Sequence, residues 1–446
     1  MLGTRPRLIR GLTVATAIML ATPTVAQLLG GGGGRIGNAV GGLTGGLTNG
    51  LAGTLPGQNG GNQALVGSVE EPLNMLSGTL ASAAPGDLLS LRRERQRTLV
   101  RDNRRALDVD DAGAPIRRDE IVGLALSPDA LAKAKAAGFG LVRTEAIGGL
   151  GLAVSVLSPP AGKPARKAIT ALRQLDPAGN YTLDHIYEPA RAPLAPASGA
   201  AVGDGAPASG AAIGLIDGGI GNHPAFANAR IEQRGFAGDP QPSGHGTAVA
   251  SLLIGNAGAF HGAAPGSPLL AADVYGGSAS NGSAVAIVRA MGWLAERRVR
   301  VVNISLVGPP NPLLEAAVKA LQARGILVVA AVGNDGPAAP PQYPASYPGV
   351  IAVTGVDARG QALIEAGKPL HLDFAAPGAD MVGAVPGGGW EKVRGTSFAA
   401  PLVAASLARS GSVTSLAATA RPGHGRVGRG IVCGDCATAP KNVGLK

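Results

Sequence analysis

From residue 212 onward the chain alternates two kinds of apolar pattern. Residues 212–216, 269–274, 299–306, 326–332 and 350–356 are near-continuous runs of Val, Ile, Leu and Ala, the pattern of strands buried on both faces. Between them, 247–254, 284–297 and 313–323 carry apolar residues at helical spacing. Such alternation predicts an α/β fold, a mainly parallel sheet covered by helices on both faces. Sheets of this kind place their sites at the carboxyl ends of the strands.

A smaller pattern precedes it. Residues 120–126 read as a strand, and 127–137 as a helix with Ser127 as its cap and Pro128 at its first position. Strands are expected at 141–145 and 152–157, a helix at 165–175 and a last strand at 181–187. The order β-α-β-β-α-β is the split βαβ plan of a small α+β, ferredoxin-like domain over 116–190. Residues 188–210, rich in Pro, Ala and Gly without periodicity, predict a linker open to proteolysis.

The front of the chain has another character. Arg5, Arg7 and Arg10, an apolar stretch over 11–21 and the small residues Thr24-Val-Ala26 form an export signal over 1–26. Residues 27–115 are Gly-rich and then Arg-rich, and predict a disordered or partly helical linker. No later apolar run is long enough to span a bilayer.

Composition narrows the possibilities. Aromatics are 3% of 446 residues against 45% hydrophobic, so the core must be built from Ala, Val, Leu and Ile. The formal charge of +10 points first to nucleic acid. Much of it, however, lies between Arg92 and Arg118, interleaved with five acidic residues and with almost no aromatic to stack on a base. That segment reads as solvated, and nucleic acid is not expected as a partner.

Four side chains carry candidate chemistry. Ser397 stands in Gly395-Thr-Ser-Phe-Ala-Ala-Pro401, where a tight turn enters an Ala-rich helix. Unpaired N–H groups and the positive end of the helix dipole there could hold an oxyanion beside the hydroxyl, although such a Ser is ordinarily only a cap. Asp217 ends the run 212–216 and is followed by Gly218-Gly219; it could orient a His, or be a turn residue. His245 opens a helix in Gly244-His-Gly-Thr, where flanking glycines leave room beside the ring; His223 and His261 lack such a setting. Asn334 ends a strand in Gly333-Asn-Asp-Gly336, either an Asn-Asp-Gly turn or an amide donor to an oxyanion.

These motifs, in the order Asp, His, Asn, Ser, resemble the subtilisin-like serine peptidases (subtilases), from about residue 211 to 432. Asn303-Ile-Ser-Leu306, Tyr343-Pro-Ala-Ser-Tyr-Pro348 and Phe374-Ala-Ala-Pro-Gly378 are similar too. The resemblance implies a peptidase domain over 211–437 with a tail at 438–446. It makes Ser397 the nucleophile, His245 the general base and then acid, Asp217 its orienting partner and Asn334 the oxyanion donor. Ser305, Leu306, Val307 and Gly308 become the edge on which an extended polypeptide substrate pairs. The position of Val307 is often Gly in the family, so a narrow pocket preferring small or medium apolar side chains just before the cleaved bond is expected. The 116–190 domain resembles the family's inhibitory propeptide, with self-cleavage within about 188–210. No Asp-rich calcium loop is visible, so no metal and no cofactor are assigned. The reading is an exported endopeptidase, secreted or periplasmic, with polypeptides and its own propeptide as partners and no stable membrane insertion. The alternatives are an inactive secreted binding or scaffold protein, or an adhesin tethered by the Gly-rich arm. Cys433 and Cys436 could form a local disulfide, remain free thiols, or serve redox or metal chemistry.

Overall fold

The computed structural model describes residues 85–190 and 212–446. The expected signal over 1–26, the Gly-rich stretch and the linker over 191–210 lie outside the described residues.

Seven parallel strands form the central sheet, in the spatial order Phe374–Pro377, Ile351–Val356, Leu327–Ala331, Val301–Ile304, Ile213–Asp217, Leu269–Asp273 and Ile231–Gly235. Successive side chains on a strand point to opposite faces, and here both faces are dry. Ile216, Val302, Ile304, Val328 and Ala330 pack with the helices Ala284–Glu296 and Pro312–Gln322. Ile213, Leu215, Val301, Val329 and Ala331 pack with Gly244–Ile254 and Thr396–Ser410. The expected α/β architecture is therefore the observed one. Two strands of the sheet were not expected, Ile231–Gly235 and Phe374–Pro377. Both lie at its edges, and the first alternates buried Ile231 and Gln233 with the more exposed Glu232 and Arg234, so neither gives the long apolar run of a central strand.

The smaller unit has five antiparallel-paired strands. Pro115–Leu124 is central, bonding to Leu107–Val109, Leu152–Ser158 and Asn180–His185, with Gly140–Ile147 outside Leu152–Ser158. Helices Pro128–Ala136 and Ala165–Leu175 cover one face, closing on Ile121, Leu157, Ile169 and Leu172. Ser127 caps the first of these helices by accepting the Ala130 N–H. The opposite face, with Val122, Ile147, Leu150 and Val154, joins the core under Ala284–Glu296. Asp184 caps that helix from outside, accepting the Val285 N–H at 3.0 Å, and Asn311 Nδ2 donates to Leu183 O at 3.0 Å.

Two expectations need correction. The linker expected over 27–115 is ordered in its last part: a helix spans Pro85–Asp102 and a strand Leu107–Val109. Leu, Arg, Glu and Gln favour that helix, with Asp87 in its first turn and Arg101 in its last matching its dipole. It docks through one buried leucine, Leu88, and the ion pairs of Arg92 and Arg95 rather than an apolar stripe, which is why hydrophobic patterning does not reveal it. The strand expected over 181–187 ends at His185. The chain then leaves the small sheet, and Glu188–Pro189 pairs with Leu306–Val307 of the large domain. No helix among the described residues is long and apolar enough to cross a membrane.

Candidate active site

Asp217 is the last residue of the strand Ile213–Asp217, at the carboxyl edge of the sheet. Its Oδ1 accepts the Gly218 N–H at 2.7 Å and lies 2.8 Å from His245 Nδ1, with both side chains buried. A carboxylate on Nδ1 fixes the tautomer in which Nε2 is free to accept a proton. Gly246 supplies the room for this approach: a Cβ there would meet Gly218 O at 2.1 Å.

Ser397 is the second residue of the helix Thr396–Ser410. Its N–H therefore has no acceptor within the helix. Gly395, just before the helix, has φ +141°, and a Cβ on it would stand 2.8 Å from Asn334 Nδ2, so only glycine fits there. Asn334 Oδ1 accepts the Thr396 N–H at 2.9 Å, which turns the amide NH2 outward. Thr396 Oγ1 bonds Gly333 O at 3.3 Å, and Ser305 Oγ donates to Ser397 O at 2.9 Å. The His245 ring lies 5.3 Å from that of Phe398. Ser397 Oγ, His245 Nε2 and Asn334 Nδ2 are buried polar atoms without a hydrogen-bond partner among the described residues. Ser397 Oγ and His245 Nε2 are thus not hydrogen-bonded to each other, and Asp217 Oδ2 is orphaned as well. Buried polar groups are ordinarily paired, so four such atoms on residues linked through Phe398 and Thr396 mark a place that could take a ligand.

The cleft beside them is filled by the chain itself. Tyr187 N–H donates to Gly282 O at 2.7 Å, Glu188–Pro189 pairs with Val307 and Leu306, and Ala190 N–H donates to Ser305 O at 3.0 Å. Tyr187 is fully buried, its hydroxyl donating to Pro309 O at 2.7 Å. Ser305, Leu306 and Val307 are thus the edge on which residues 188–190 of the same chain pair. Gly308 has a different part. Its N–H and C=O both bond Tyr343, and a Cβ on it would press into the Tyr187 ring at 2.5 Å. Its bare Cα makes space for the aromatic ring rather than an edge for pairing.

The neighbouring groups were not found by sequence reasoning. Glu365, 3% exposed, lies 2.8 Å from Arg394 Nε, and its carbonyl accepts the Gly336 N–H at 2.8 Å, which ties the segment before Ser397 to the loop after Asn334. Asp335 is held by Arg95 and Arg92. His185 bridges Asp110 and Asn311 at 3.1 and 3.0 Å between the two domains. None of these partners is near in sequence, so no local motif signals them. His223 bonds Gly389 O and packs edge-on against Trp390, and His261 bonds Asn256; both make structural contacts. Cys433 and Cys436 are disulfide-bonded.

The fold agrees with comparison to known proteins. The model of the subtilase family matches residues 208–416. Subtilisin Savinase of Lederbergia lenta is 36% identical over 200 residues, 44% of this chain and 73% of the relative. The alkaline protease of Alkalihalobacillus alcalophilus is 34% identical over 247 residues, 53% of this chain but only 64% of the relative's length. In fold, the chain superposes on fervidolysin from Fervidobacterium pennivorans, described as a keratinolytic enzyme related to subtilisin, with a TM-score of 0.60. That match covers 73% of this chain and 61% of the other at 17% identity. The protein belongs to the subtilase family.

Proposed function

We propose that the protein is an exported serine endopeptidase, made as a precursor whose residues 85–190 close its own cleft. The observation that supports this best is the set of orphaned buried atoms, Ser397 Oγ, His245 Nε2 and Asn334 Nδ2, beside a His–Asp pair at 2.8 Å. Ser397 Oγ attacks the scissile carbonyl carbon while its proton passes to His245 Nε2, and Asp217 stabilises the imidazolium. The oxygen that becomes negative receives hydrogen bonds from Asn334 Nδ2 and the Ser397 N–H. His245 returns the proton to the departing amine, leaving an ester on Ser397. Water then attacks that ester with the same proton path in reverse.

Substrates are polypeptides bound in extended form along Leu306–Val307, as Glu188–Pro189 is. Ala190 occupies the place just before the cleaved bond, in keeping with a pocket narrowed by Val307. Export rests on the basic and apolar pattern of residues 1–26. The mechanism is tested by labelling the matured protein with a diphenyl phosphonate, whose phosphorus bonds Ser397 Oγ as phenoxide leaves. Stoichiometric labelling that disappears in Ser397→Ala is expected. No labelling of the wild type, or undiminished labelling of the variant, rejects the reading in favour of an inactive binding protein.

A further inference from the structure

Asp335 directly follows the candidate oxyanion donor, and its carboxylate is only 7% exposed. Its recorded ion partners both come from the helix Pro85–Asp102: Arg95 Nη2 at 2.9 Å and Arg92 Nε at 3.5 Å. The same Arg95 reaches the Glu188 carboxylate through Nε at 3.1 Å. One guanidinium therefore spans the gap between a cleft-wall carboxylate and the third side chain back from the proposed cut after Ala190. Burial works against the Arg95 charge, yet Glu188 and Asp335 outweigh it and raise its pKa above the ordinary value. Leu88 of the same helix packs beside Gly336, where a Cβ would meet it at 3.0 Å.

Consider the cleft after this helix and strand have gone. Asp335 stays, because the next residue is anchored by the Gly336 N–H bond to Glu365 O, whereas Arg92 and Arg95 leave with the departing segment. A carboxylate remains within one guanidinium's width of the substrate's third side chain, at a boundary where unlike and like charges differ strongly in energy. We propose that Asp335 makes the matured enzyme select a basic side chain, and reject an acidic one, at the third residue before the cleaved bond. This rests on the peptidase reading and specifies its substrate class. The precursor's own strand carries the disfavoured acid, Glu188, and tolerates it because Arg95 sits between the two carboxylates. Presented in a peptide without that arginine, the same sequence is a poor substrate.

The test uses acetyl-Tyr-Xaa-Pro-Ala p-nitroanilides with Xaa as Arg, Gln or Glu, assayed on the matured protein, on matured Asp335→Asn, and at low and high salt. The expected order of kcat/KM is Arg, then Gln, then Glu, with an Arg to Glu ratio of at least about tenfold at low salt. That ratio falls towards one in Asp335→Asn and shrinks in about 1 M salt, where charges are screened within a few ångströms. The salt series alone decides should the variant not mature. A wild-type ratio near one, or one unchanged by both the variant and salt, overturns the proposal while leaving the peptidase reading intact. Failure to hydrolyse any of the three peptides overturns the peptidase reading itself.

Discussion

The amide of Asn334 has its oxygen committed to Thr396 N–H, which leaves only the NH2 for a ligand. Asn334→Ala is expected to lower kcat by about 10²–10³ with little change in KM, the size of effect known for the corresponding donor in subtilisin rather than one derived from this chain. A fall of less than about threefold in steady-state hydrolysis would remove Asn334 from the mechanism. Val307 makes a second residue-scale case. Its Cγ1 lies 3.5 Å from where a Gly333 Cβ would be, so its branches occupy space beside the loop that leads to Asn334. Val307→Gly is expected to raise the preference for Phe over Ala just before the cleaved bond by about tenfold or more, read as a ratio of kcat/KM values. At this scale the sequence was most legible where glycine frames the reacting residue, as at Gly244-His-Gly and Gly395-Thr-Ser. It was silent on Asp335, Glu365 and Arg394, whose partners are distant in the chain and found only by folding.

Between elements, the most consequential contact is Asp184 on the amino end of the helix Ala284–Glu296. Burial, with Glu120 nearby, pushes its pKa from 3.8 up to about 6, against the opposing bonds from Val285 and Ser283 and the charge of Arg117. The docked state thus holds its proton more tightly than the undocked one. The contribution of Asp184 to docking is full below pH 4 and is lost as pH rises through about 6; the difference between 3.8 and about 6 is worth about 3 kcal/mol. In Ser397→Ala precursor, urea stability of the docked small domain should fall between pH 4.5 and 7.5 by an amount that Asp184→Asn largely removes. Equal pH profiles for the two proteins would deny Asp184 this role. The split βαβ order and both of its helices were readable from local pattern. The helix Pro85–Asp102 was not, because charged side chains that look solvated in the sequence find carboxylates on another domain.

Across the whole molecule, the small domain delivers its last strand into the cleft of the large one, and the register of that strand fixes where a cut would fall. Ala190 N–H bonds Ser305 O, whose side chain bonds Ser397 O, so the first-formed mature chain should begin at Arg191. Mass spectrometry should find that terminus in the wild type and not in Ser397→Ala; a first product beginning elsewhere would refute the register. The sequence by itself determined the parallel α/β sheet, because strands buried on both faces must be continuously apolar. It also set Asp217, His245, Asn334 and Ser397 beside glycines at strand and helix ends, with the roles proposed for them implied by the resemblance of those motifs. Only the tertiary structure decided what fills the cleft, which charges meet across it and which helix end the small domain caps. Those depend on groups far apart in the chain, and no local periodicity encodes a contact whose two halves lie on different domains.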